Sequence, residues 1–151
     1  MADATAGLIL IVTGSTLRAE EMDRPLAYFL KDRIEMFLEA RTPERAVRVV
    51  ADFRWIHDDP LQEAPTISLG GPGVNVLAHR WLEEVPVALA VDERYYIQME
   101  PNLDPPRVSI WGMDNSTTQI AVSVFIDRYL ARFLDQSAMR ATSHADADDQ
   151  D

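Results

Sequence analysis

The sequence predicts a three-layer α/β fold, with helices on both faces of a mainly parallel sheet and a β-hairpin extension. Three observations predict it. Strand-like and helix-like segments alternate along the chain, which implies crossover connections between parallel strands. The first apolar run, Leu8–Val12, is continuous, as in a strand buried on both faces. Two further strand-like runs, Val87–Val91 and Tyr95–Met99, are separated only by Asp92-Glu93-Arg94, a hairpin spacing.

Each element follows in order. Met1–Gly7 reads as a short frayed lead, and Thr13-Gly14-Ser15-Thr16 ends the first strand. Arg18–Asp23 is polar and reads as a helical turn or a loop. Asp23 is placed to cap a helix that begins near Pro25, since proline suits a first turn. Leu26, Phe29, Leu30, Ile34, Phe37 and Leu38 then keep a helical period up to about Arg41. Ala46–Ala51 is a second strand, Asp52–Pro60 a long loop, and Thr66–Leu69 a short third strand. After Gly70-Gly71-Pro72-Gly73, the apolar positions Val74, Leu77, Ala78, Trp81, Leu82 and Val85 mark an amphipathic helix stopped by Pro86. Beyond the hairpin come a rigid Pro101–Pro106 loop, a strand at Arg107–Trp111, a turn at Gly112–Asn115 and a last helix over Thr117–Leu134. The expected organisation is one domain over residues 1–135 and a disordered acidic tail over 136–151, which is too polar to offset its ordering entropy. The element order resembles Rossmann-like and flavodoxin-like architectures; no motif goes further and names a family.

Composition limits the function classes. A chain of 151 residues buries enough surface for a core without disulfides or metals. The net charge of −11, with Lys31 as the single lysine, disfavours nucleic acid and anionic lipid as partners. The bland reading is that this charge keeps the protein soluble. The absence of cysteine removes disulfides, thiolate nucleophiles and thiolate metal sites. There is no basic leader and no run long enough to span a membrane, so the expected location is cytoplasmic.

In open α/β sheets ligands bind beyond the carboxyl ends of the strands. That rule selects four loops: Thr13–Thr16, Asp52–Pro60, Gly70–Asn75 and Gly112–Thr118. Gly71 and Gly73 let a backbone approach a ligand, and the helix that follows offers an anion its N–H groups and dipole. Asn75 adds a neutral donor and acceptor. The same glycines also suit a sharp strand-to-helix turn with no ligand. The segment is not a dinucleotide fingerprint, because Val76 holds the third glycine position. Gly14 and Ser15 offer N–H and hydroxyl donors, without the lysine of a P-loop. Asp52, at the end of the second strand, suits a ribose hydroxyl or general-base role, or a plain loop cap. Arg54 is the nearest cation. Asp114 is the second carboxylate candidate, amid cap residues of the last helix. His57-Asp58-Asp59 lacks ligand spacing, so no metal site is expected. The cofactor is undetermined, as is whether the chain is an enzyme.

The last helix is apolar nearly all round, which implies cover on more than one side. Ile126, Tyr129 and Phe133 are its candidates for a homo-oligomer or protein interface. Two readings follow. In the first, the chain has a site for an anionic small molecule of the nucleotide or sugar-phosphate type at the C-terminal rim of its sheet. In the second, it is a non-catalytic interaction or scaffold subunit of a larger assembly.

Overall fold

A computed structural model describes residues 7–84, 88–91, 94–99 and 106–138. The expected lead before Gly7, the turn at Asp92-Glu93, most of the Pro101–Pro106 loop and the tail beyond 138 lie outside the described residues.

The strands are β1 (Leu8–Thr13), β2 (Ala46–Ala51), β3 (Thr66–Leu69), β4 (Ala88–Val91), β5 (Tyr95–Met99) and β6 (Arg107–Gly112). They form one six-stranded sheet in the order β2-β1-β3-β6-β5-β4. The β2, β1, β3 and β6 neighbours pair in parallel, and β5 runs antiparallel to both β6 and β4. The predicted three-layer α/β fold and its edge hairpin are therefore both present. The pairing of β4 with β5 is irregular between Ala88 and Ala90.

Residue alternation along β1 divides the interior in two. Ile9 and Ile11 face a core shared with α1 (Arg24–Glu39), α5 (Asn115–Arg128) and the following helix α6 (130–138). Leu8, Leu10 and Val12 face a second core, with Trp55, Leu61, Leu77 and Trp81. These come from α2 (Asp52–Ile56), α3 (Asp59–Gln62) and α4 (Val76–Glu84), Leu61 lying in α3. Because β1 is covered on both sides, every one of its residues is buried, which is why its sequence is apolar without alternation. Trp55 and Trp81 meet edge-on in the second core, 5.7 Å apart, with the Arg107 guanidinium over both rings.

Towards β3, β6 and β5 that second face turns polar. Ser68 and Ser109 are opposite each other in register, both fully buried, and neither hydroxyl makes a hydrogen bond with a described residue. Gln98 stands next in the row, opposite Ser109.

Four local expectations are revised. The first helix starts earlier than Pro25: Thr16 Oγ1 accepts from the Ala19 N–H at 3.2 Å, and a π-helical turn, Ala19–Asp23, leads straight into α1. Asp23 is accordingly inside the helix and makes no side-chain cap. The expected long loop after β2 contains α2 and α3; the second is nucleated by Asp58, whose carboxylate accepts from the Leu61 N–H at 3.2 Å, with Pro60 in the first turn. The last helix is divided at Tyr129, and the break lets both halves lay apolar residues on the first core, with Phe125 and Phe133 6.1 Å apart. Helix α6 also continues past Leu134, the expected end of the last helix. Ser137 is buried and bonds the Arg45 guanidinium at 2.8 Å.

No helix among the described residues is long and apolar enough to cross a membrane.

Candidate functional site

Crossovers from β1 to β2 and from β2 to β3 place the neighbours of β1 on its two sides, so the winding reverses between β1 and β3. A crevice is expected outside the carboxyl ends of the strands at such a point. The structure has one there, a cleft of ≈ 310 Å³. Its walls are the segments that follow β1, β3 and β6, with Arg18, Asp23, Gly73, Trp111, Asp114 and Asn115 supplying most of its character.

The wall after β1 is set by the π-helical turn. The Arg24 N–H reaches back to the Ala19 carbonyl, and Pro25, without an N–H, follows. Asp23 thereby stays on the buried side, with Ala27, Leu30 and Ile34 below it. Its carboxyl is pressed against the end of β3, where Gly70 has φ +111° and a Cβ would lie 2.6 Å from Asp23 Oδ2. Glycine is required there both by conformation and by room. Burial pushes the Asp23 carboxyl up to about 6, against the opposing pull of Arg18. No described residue hydrogen-bonds that carboxyl.

The wall after β3 is the turn Gly71–Val74, closed by the Val74 and Asn75 N–H groups on the Gly71 carbonyl. Gly71 has ordinary contact with Trp111, and a Cβ on Gly73 would meet nothing within 4 Å. Both line the cleft. Asn75 does not. It is buried, its amide donates to the Val12 and Leu69 carbonyls, and its Oδ1 accepts from the Leu77 and Ala78 N–H groups at the start of α4. This one side chain ties β1 and β3 together and caps α4.

Asp52 completes that arrangement. It is buried at the end of β2 and accepts from Ser15 Oγ, from the Phe53 N–H at 2.7 Å and from the Val76 N–H at 2.8 Å. The anion position expected at the α4 N-terminus is thus filled by a carboxylate of the chain itself. Gly14 belongs to the same framework, since a Cβ there would lie 1.8 Å from the Val74 carbonyl oxygen.

The wall after β6 carries Trp111, stacked on Tyr96 at 4.4 Å, and the start of α5. Asp114 caps α5 by accepting from the Thr117 N–H, the Thr117 hydroxyl and the Ser116 hydroxyl. These bonds hold its exposed carboxyl below the usual range. Gly112 is needed where the backbone passes Thr117 and Thr118, and its N–H bonds Thr118 Oγ1.

Of the sequence-derived candidates, the cleft brings together Gly71, Gly73 and Asp114. Gly14, Ser15, Asp52 and Asn75 do not line it and instead hold the strand ends and the start of α4, and Arg54 is exposed on α2 outside it. Arg18, Asp23 and Trp111 were not among the candidates. Asp23 has a sequence signal: it falls four, seven and eleven residues before Ala27, Leu30 and Ile34, on the apolar stripe of the helix. Of the interface candidates on the last helix, Phe133 is fully buried in the chain's own core, while Ile126 and Tyr129 are half-buried against it.

The sequence matches no protein-family model and no curated protein. The reading of the cleft therefore rests on its geometry.

Proposed function

We propose that this chain is a small-molecule-binding domain whose site is the cleft beyond β1, β3 and β6, and that its ligand is of the nucleotide or sugar-phosphate type. The observation that carries the reading is the coincidence, in one cleft at the reversal of the sheet, of a carboxyl, a guanidinium and an aromatic side chain. The volume of ≈ 310 Å³ is at the small end for ligand pockets, enough for a sugar or a compact nucleoside. Asp23 receives hydroxyls, Trp111 covers the face of a ring, and Arg18, at the exposed mouth, meets a phosphate.

Thermal unfolding with a panel of nucleosides, nucleotides and sugar phosphates tests this. A ligand at about 100 times its Kd stabilises the folded state by roughly 2.7 kcal/mol, a shift of several degrees. Gly73→Val is the control: its Cβ has open space, so the domain folds, while the branched side chain occupies the cleft. The expected result is a shift with one chemical class that disappears in Gly73→Val. A flat panel overturns the reading and favours the interaction-module alternative.

A further inference from the structure

We propose that the inner end of the cleft reads hydrogen-bond donors and not phosphate: the sugar hydroxyls of the ligand seat on the Asp23 carboxylate. The inference rests on the cleft being a ligand site, and it fixes which part of the ligand goes in first.

Phosphate sites in α/β folds use free N–H groups at helix N-termini. Here several of the N–H groups beside the cleft are already bonded within the chain. The Val76 N–H is bonded to Asp52, and the Leu77 and Ala78 N–H groups to Asn75. At α5 the Thr117 N–H is bonded to the Asp114 carboxylate, and the Asp114 N–H to Thr117 Oγ1. A phosphate placed there would meet the negative charge of Asp114 in place of a bare dipole.

Asp23 has the opposite need. An ionised carboxylate only accepts hydrogen bonds. Asp23 is buried at the cleft wall, and no described residue donates to it. A pair of sugar hydroxyls supplies the missing donors. Trp111, backed by Tyr96, offers its face to the attached ring.

On the helix of Asp23, Glu20 and Arg24 pair with each other at the surface and Glu21 is exposed. Arg18 faces it from its own helix and favours the ionised form. Asp114 lines the cleft from the start of α5. The segments Gly70–Val74 and Trp111–Met113 carry no ionisable side chain. Asp114 is held below the usual carboxylate range and stays ionised throughout. Of the two carboxyls lining the cleft, Asp23 is therefore the one that changes charge near neutrality.

The experiment measures Kd by calorimetry for adenosine, adenosine 5′-monophosphate and inorganic phosphate, at about pH 5 and about pH 8, with the full chain and with Asp23→Asn and Arg18→Gln. With Asp23 titrating at about 6, adenosine binds about tenfold more weakly at the lower pH, because the binding-competent fraction falls by that factor. Asp23→Asn binds more weakly than the parent at the higher pH and loses the pH dependence. At about pH 8, where Asp23 is ionised with or without Arg18, Arg18→Gln weakens the monophosphate more than adenosine. Two results overturn the inference while leaving the ligand site standing: equal or tighter adenosine binding at low pH, or binding of inorganic phosphate without binding of adenosine. Binding by none of the three probes, at either pH, removes the nucleotide reading of the site and the inference with it.

Discussion

At the scale of single residues, three side chains decide how the strand ends are held. Asn75 makes four hydrogen bonds, two to strand carbonyls and two to helix N–H groups. Truncation leaves those groups buried and unmet, so Asn75→Ala should cost about 2–4 kcal/mol in urea unfolding. Asp52 is the anion that α4 needs, supplied from the start of α2. Asp23 is the exception: its carboxyl is buried without such partners, and its ionisation works against the fold. Its folded value of about 6 lies above the ordinary 3.8. The protonated form is therefore the one folding favours. The stabilisation is full below about pH 4 and is lost as pH rises through 6. The loss amounts to as much as about 2 kcal/mol after allowance for solvent screening. Asp23→Asn should flatten this slope and raise Tm at pH 8. An unchanged slope in the variant would assign the pH dependence to other groups.

At the scale of elements, the turns after β3 and β6 divide glycines by task. Gly70 carries the positive φ and the contact with Asp23, and Gly73 opens on the cleft. Gly70→Ala should lower Tm by several degrees, whereas Gly73→Ala should leave it within about one degree. How far the sequence reveals these elements depends on the range of the forces that build them. β1 is legible because burial on both faces leaves an unbroken apolar run, and the β4–β5 hairpin because its spacing is local. The π-helical turn is not legible: it is a displacement of one residue in hydrogen-bond register, and Arg18–Asp23 has no pattern that marks it. α2 and α3 are too short to show a period. The roles of Asp52 and Asn75 were ambiguous for a related reason. Residue type marks both as good ligand groups, but their partners, Ser15, Val76 and Val12, are far away in sequence. Only the fold reveals that their capacity is already used. Asp23 reverses the case, since a carboxylate on the apolar stripe of a helix is visible in spacing alone.

At the scale of the whole molecule, the sheet is apolar on one side and mixed on the other. The Ser68–Ser109 pair lies in the mixed part with hydroxyls that no described residue satisfies. Replacing a buried hydroxyl that has no partner removes a desolvation penalty, so Ser109→Ala should raise stability by about 1 kcal/mol in chemical denaturation. A loss would show that the hydroxyl is satisfied in solution. All three tryptophans lie on this same side. Trp55 and Trp81 sit in the closed core, and Trp111 stands half-exposed in the cleft wall. Emission would accordingly be divided by place: the two core indoles would report on folding, and Trp111 on any ligand bound in the cleft under the proposed reading. Trp111→Phe would silence the second signal and keep the first, so that occupancy and folding become two separately readable channels in one unlabelled chain.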